Sequence, residues 1–260
     1  MEQVVFSGHT GGHPVLVTDE DGLRSLRFGT EERQSCLDLD KPWSLQLAYT
    51  QWMVTALLLH PHPARFLVVG LGGGALPHFL LHHHPEATID VVEKEQLVID
   101  LAHDYFHLPR HPGLRFFCQD VLTFLASPPT NSYDVVFLDI FDPGAMAPAL
   151  FEPTLHQGLL AHLGSGGVIA VNLWNGDRDL YQEALQSVTT ASGGRLLQMQ
   201  VKKRSNVILL VFPDAIPHAA IKQAHKQSEA YRQRYGLDFP LFLKRLRRTN
   251  RLSLLRILFG

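Results

Sequence analysis

The feature that most constrains this chain is an apolar run that ends in glycines: Arg65-Phe66-Leu67-Val68-Val69-Gly70-Leu71-Gly72-Gly73-Gly74-Ala75. A short run of β-prone residues without polar interruption fits a strand buried on both faces. The glycines allow backbone angles and a closeness of approach to a ligand that a Cβ forbids. Glu93 closes the next such run, Ile89-Asp90-Val91-Val92-Glu93, 23 residues after Gly70. Strand, glycine turn, helix and a second strand ending in a carboxylate is the layout of a nucleoside-binding α/β domain. In that layout Gly70, Gly72, Gly73 and Gly74 line the nucleoside site, and the carboxylate of Glu93 can accept hydrogen bonds from both hydroxyls of a ribose.

The rest of the chain fits around this unit. Short β-rich runs alternate with helical patterns: Phe66 to Val69, Ile89 to Val92, Leu114 to Phe117, Val135 to Leu138 and Val168 to Val171. Such alternation predicts a parallel sheet with helices on both faces. Leu196 to Val201 and Val207 to Phe212, separated by Lys202 to Asn206, read as an antiparallel pair closing the sheet. The expected fold class is α/β, a doubly wound, Rossmann-type sheet of the class I methyltransferase kind. Before it, Val15 to Val17 and Leu23 to Phe28 flank Asp21-Gly22 and predict a β-hairpin. Apolar residues recur at helical spacing from Trp43 to Leu59, and Pro61 and Pro63 then stop that helix. The expected organisation is a small β unit over 1–42, a nucleoside-binding domain over 43–221 and a basic helical extension over 222–260.

Charge is unevenly spread. The chain carries a formal net charge of −2, yet Lys222 to Gly260 holds ten Lys and Arg against two Asp and Glu, which leaves the body acidic. Leucines alternate with basic residues through Leu241 to Arg248 and again through Leu252 to Phe259. Packing of those leucines on the body is the favoured reading; docking on an anionic membrane or nucleic acid is the alternative. No apolar run approaches the length of a membrane span. Met1 to Gly12 lacks the apolar core of a signal peptide, and Cys36 and Cys118 form no metal or redox spacing, so a reduced cytoplasmic protein is expected. His78 and His82 share a helical face, but no cysteine joins them and the adjacent histidines point elsewhere, so no metal is assigned.

Polar residues at the carboxyl ends of successive strands carry the chemistry, since ligands of open α/β sheets bind there. After the glycine loop and Glu93 come Asp120, in Cys118-Gln119-Asp120-Val121-Leu122, and Asp139, in Leu138-Asp139-Ile140-Phe141-Asp142-Pro143. Asp120 can accept a hydrogen bond from the exocyclic amine of adenine, or serve as a helix N-cap. Asp139 would face the reacting centre.

Together these residues, with the hairpin, Gln34 and Tyr49, resemble the spermidine synthase family from about Val15 to Phe212. The resemblance implies transfer of an aminopropyl group from decarboxylated S-adenosylmethionine to a small amine, with no tightly bound cofactor and a homodimeric assembly. It makes Asp139 the catalytic carboxylate and Asp142 an amine-holding carboxylate in a gating loop, and it puts Gln34 and Tyr49 in the cleft. The family's YHE is here Tyr49-Thr50-Gln51, which adds Gln51 to the substrate side. The family's GGGDGG is here Gly70-Leu71-Gly72-Gly73-Gly74-Ala75, with Gly73 in place of the aspartate. A carboxylate ~4 Å from a donor carboxylate costs roughly 4 kcal/mol at an effective dielectric near 20. Gly73 is therefore expected to remove one barrier to intact S-adenosylmethionine, and methyl transfer is the rival reaction. A non-catalytic nucleoside-binding or scaffolding role is the third reading.

Overall fold

The structure, a computed structural model, describes residues 2–29, 33–128, 133–142 and 144–250. Four antiparallel strands come first: β1 (Gln3–Thr10), β2 (His13–Glu20), β3 (Leu23–Phe28) and β4 (Ser35–Asp38). The expected hairpin is the central pair, with Glu20 opposite Leu23 across Asp21-Gly22. Its flanking strands, β1 and β4, were not expected. The inner face of this sheet buries Val15, Val17, Leu26 and Leu37 against Leu101 and Phe106 of the main domain.

The helix expected from Trp43 begins later, as α1 (Ala48–Met53), and continues as a 3-10 turn through Leu58. Leu45 pairs instead with Leu37 in an isolated antiparallel bridge. That tertiary contact takes the segment before Ala48 out of the helical pattern. Trp43, half exposed, lies flat on the ring of His82 at 4.3 Å.

The main domain then runs β5 (Arg65–Val69), α2 (Ala75–His83), β6 (Thr88–Glu93), α3 (Gln96–Asp104), β7 (Leu114–Cys118), α4 (Val121–Leu125), β8 (Tyr133–Leu138), the two-residue strands β9 (Phe141–Asp142) and β10 (Ala145–Met146), α5 (Pro153–Ala161), β11 (Leu163–Trp174), α6 (Arg178–Ser192), β12 (Leu196–Gln200) and β13 (Asn206–Val211). The sheet order is β12-β13-β11-β8-β5-β6-β7. Neighbours among β5, β6, β7, β8 and β11 pair in parallel, and β13 runs antiparallel between β11 and β12. Both faces are covered. In β5, Phe66 and Val68 enter one apolar cluster while Leu67 and Val69 enter the other, which is why the run needs no polar alternation. The chain winds outward from β5 to β7 and returns at β8, so a crevice opens between the carboxyl ends of β5 and β8, where doubly wound sheets bind ligands.

The extension forms α7 (His218–Lys226), α8 (Ser228–Tyr235) and α9 (Phe239–Thr249). As expected of a packed segment, α9 buries Phe239, Phe242, Leu243 and Leu246, with the Phe242 ring 4.8 Å from that of Trp52. Lys244, Arg247 and Arg248 stay exposed. Asn250 exchanges two hydrogen bonds with the backbone of Gln198 on edge strand β12, at 2.9 and 2.8 Å, and so covers part of that edge. Leu252 to Phe259 fall outside the described residues. No helix among the described residues is long and apolar enough to cross a membrane.

Candidate active site

The crevice at the carboxyl ends of β5, β6 and β8 is a cavity of about 700 Å³. Of the residues expected from sequence, Gln34, Tyr49, Gly70, Gly72, Glu93, Asp120, Asp139 and Asp142 line it. Gly73, Gly74 and Gln51 do not. Gln51 turns its amide back to the carbonyl of Leu45 at 2.7 Å, a partner it acquires because the segment before α1 is folded onto β4.

The glycine loop is shaped by Asp139 itself. Gly70 has φ of +89°, and a Cβ there would lie 2.1 Å from the carbonyl oxygen of Asp139. Only glycine lets β5 end against the loop that follows β8. At Gly73 the reason is different. A Cβ at this position would meet the ring of Phe106 at 2.7 Å and Ser35 Oγ at 3.0 Å. Phe106 is fully buried, so the space beside Gly73 is occupied by core. No carboxylate stands at this position, and the Phe106 ring takes the space that a side chain on this backbone would need.

Glu93, at the end of β6, accepts from the backbone N–H groups of Leu71 and Glu95, both at 3.0 Å. Burial pushes its carboxyl above the ordinary range, and those backbone donors oppose the shift. Each carboxylate oxygen of Glu93 keeps capacity to accept a further hydrogen bond from the cavity. Thr10, the last residue of β1, donates to Glu95 at 2.5 Å and so pins the β1–β2 turn over the same side of the cavity. Thr10 and Glu95 are 85 residues apart, and no local pattern joins them. Asp120 caps α4 through Oδ1, which accepts from Leu122 N–H at 2.8 Å. One carboxylate oxygen makes the cap, so the N-cap and cavity-lining readings hold together.

Asp139 lies at the base of the cavity. Removal from water raises its carboxyl from the ordinary value near 3.8 to about 6, while hydrogen bonds from Asn172 and Tyr49 restrain the rise. Asn172 Nδ2 is 2.9 Å from Asp139 Oδ1. Burial and the neighbouring Asp139 hold the Tyr49 phenol well above its usual range, so Tyr49 stays a neutral donor. Its hydroxyl also reaches the carbonyl oxygen of Gln34 at 3.2 Å, which brings Gln34, Tyr49 and Asp139 together. Asp142 sits in the β9–β10 hairpin, with Pro143 outside the described residues, and accepts from Lys94 Nζ at 2.8 Å. Lys94 follows Glu93, so this ion pair passes from the end of β6 to the loop after β8, across the end of the intervening β5. The sequence reading missed Lys94 and Asn172.

His78 and His82 have separate occupations. His78 Nε2 is 2.9 Å from the carbonyl of Phe106, and His82 stacks on Trp43. Among the described residues there is no group of three His, Cys, Asp or Glu side chains arranged to hold a metal ion.

The spermine/spermidine synthase domain model matches residues 47–203. The polyamine aminopropyltransferase of Chromobacterium violaceum is 28% identical over 236 residues, which cover 91% of this chain and 90% of the relative. Among solved structures, a probable spermidine synthase from Corynebacterium glutamicum aligns with a TM-score of 0.70 at 16% identity, over 86% of this chain and 88% of that one. Human methyltransferase-like protein 13 in complex with SAH aligns with a TM-score of 0.58 at 26% identity, over 70% of this chain and 88% of that one.

Proposed function

This chain belongs to the spermine/spermidine synthase family, and we propose that it moves an aminopropyl group from decarboxylated S-adenosylmethionine to a small amine, with Asp139 as the general base. The observation that carries the reading is the state of Asp139: a carboxylate lining the cavity after β8, raised to about 6 by burial and held by two neutral donors. An amine acceptor is mostly protonated at neutral pH, so its nitrogen lone pair is occupied. A carboxylate with a pKa near 6 is still ionised at pH 7 to 8, yet is a better proton acceptor than an ordinary aspartate. The proton passes from the acceptor ammonium to Asp139. The freed nitrogen then forms a bond to the aminopropyl carbon attached to sulfur as that carbon–sulfur bond breaks, and the sulfur keeps the electron pair. The sulfonium becomes the neutral thioether methylthioadenosine, which leaves without acid assistance. Catalysis is then mainly positioning and desolvation.

The other residues hold the two substrates. Glu93 takes the ribose hydroxyls and Asp120 the adenine amine. Asp142, the carboxylate that accepts from Lys94 Nζ, takes an ammonium of the acceptor in competition with that lysine. Methyl transfer from intact S-adenosylmethionine is the competing reaction on this fold.

The test is incubation of wild type and Asp139→Asn with decarboxylated S-adenosylmethionine and a panel of mono-, di- and polyamines, followed by mass analysis of the acceptors. Wild type is expected to add one aminopropyl group, and the variant to lose at least ~100-fold in rate, the scale of a lost general base. Transfer that survives in Asp139→Asn, or no aminopropylated amine from wild type, overturns the reading.

A further inference from the structure

Two asparagines lie in line behind Asp139. Asn206, at the start of β13, has Nδ2 3.0 Å from Asn172 Oδ1, and Asn172 Nδ2 is 2.9 Å from Asp139 Oδ1. Asn172 is 1% exposed within the apolar run Val168-Ile169-Ala170-Val171-Asn172-Leu173. A buried amide in such a strand is costly unless both ends are paired, and here both ends are. We propose that Asn206 and Asn172 form a two-amide relay that fixes the orientation and basicity of Asp139, which makes Asn172 a positioning residue of the transfer reaction.

The logic of the relay is directional. A side-chain amide can present either its NH2 or its carbonyl to a neighbour. Donation from Asn206 occupies the Asn172 carbonyl oxygen, so the NH2 of Asn172 faces Asp139. Were Asn172 reversed, two acceptors would face each other, and Asp139 would be driven to its protonated form and lost as a base. A neutral donor is also suited to the task. A cation here would lower the carboxyl toward or below the ordinary range and weaken it as a base, and a second carboxylate would keep it protonated at working pH. The remaining groups around Asp139 are consistent with a site tuned by neutral donors. Tyr49 faces it from α1, and the glycine loop brings backbone only at Gly70. Asp142 in its own loop is paired with Lys94, and Glu93 at the end of β6 is held by backbone N–H groups.

This inference rests on the reading of Asp139 as the base. Its test is the pH profile of kcat/KM for aminopropyl transfer in wild type, Asn172→Ala, Asn172→Asp and Asn206→Ala, together with the melting temperature of each. Wild type is expected to lose activity below an acid limb near 6. Removing one hydrogen bond to a carboxylate moves a pKa by about one unit. Asn172→Ala should therefore move the acid limb up by about one unit, losing roughly fivefold at pH 6 and recovering above pH 8.5. Asn172→Asp should move it further, and Asn206→Ala less, in the same direction. If Asn172→Ala does not fold, Asn206→Ala at the half-buried hairpin carries the test. Variants that lose activity equally at every pH, or keep the wild-type limb, overturn the relay while leaving Asp139 as base. Failure of wild type to transfer, or survival of transfer in Asp139→Asn, strikes the base assignment instead.

Discussion

Replacing Asp139 by asparagine should make the protein more stable at neutral pH while abolishing its activity. A carboxyl whose folded-state value is raised from 3.8 to about 6 binds its proton more tightly in the folded chain than in the unfolded one. Below pH 3.8 the group is neutral in both states and costs nothing. As pH rises from about 4 to about 6 the unfolded chain ionises first, and stability falls until the folded group ionises too. Above that the penalty is constant. A difference of roughly two units at ~1.4 kcal/mol per unit comes to about 3 kcal/mol. Asparagine keeps an acceptor for the N–H of Asn172 and removes the charge, so most of the penalty should be recovered. Urea denaturation at pH 4, 5, 6, 7 and 8 reads the difference directly. The variant should match wild type near pH 4 and exceed it by about 2 to 3 kcal/mol at pH 8. At ~2–4 °C per kcal/mol for a chain of this order of size, that is a rise of roughly 5–10 °C in melting temperature. An equal difference at every pH, or a variant less stable than wild type at pH 8, would refute the claim that Asp139 is held in a desolvated state.

Three further outcomes are expected. Methylthioadenosine should raise the melting temperature of wild type, and Glu93→Ala should lose most of that shift, because the ribose loses its carboxylate; an unchanged shift removes Glu93 from the nucleoside site. Lys94→Ala should lower KM for the amine a few-fold with little change in kcat, since Lys94 competes with the acceptor ammonium for Asp142; a raised KM would show that Lys94 assists binding. Phe242→Ala should cost about 3 to 5 kcal/mol in denaturant unfolding, because its ring is buried against Trp52; a loss under 1 kcal/mol would mean that α9 is not part of the folded core.

The unit from β5 to β6 was readable because its signals are local. An apolar run, a cluster of glycines and a terminal carboxylate lie within one short stretch, and an apolar run that ends at a carboxylate recurs before Asp120 and Asp139. What escaped depended on distant partners. Strand β1 carries few apolar residues and lies at a sheet edge, so Gln3 to Thr10 has no strong period of its own. The helix from Trp43 was read too long because Leu45 is claimed by Leu37, and Gln51 was assigned to the substrate side although its amide closes that same loop. Gly73 stands where the family carries an aspartate, and no local pattern shows that Phe106, 33 residues later, packs against it. Asn172 did leave a signal, a polar residue inside the apolar run from Val168 to Leu173, but only the register of β11 against β13 and β8 shows what it holds. Gln34 and Tyr49 could be placed in the cleft only through family resemblance, because no spacing links them to Asp139.

The most direct test of the account is to supply equal amounts of S-adenosylmethionine and its decarboxylated form, together with an amine the enzyme accepts, and to identify the nucleoside released. Aminopropyl transfer leaves methylthioadenosine, and methyl transfer from the intact donor leaves S-adenosylhomocysteine. Methylthioadenosine is expected in step with aminopropylated amine, and both should vanish in Asp139→Asn. Release of S-adenosylhomocysteine with a methylated acceptor would contradict aminopropyl transfer as the reaction.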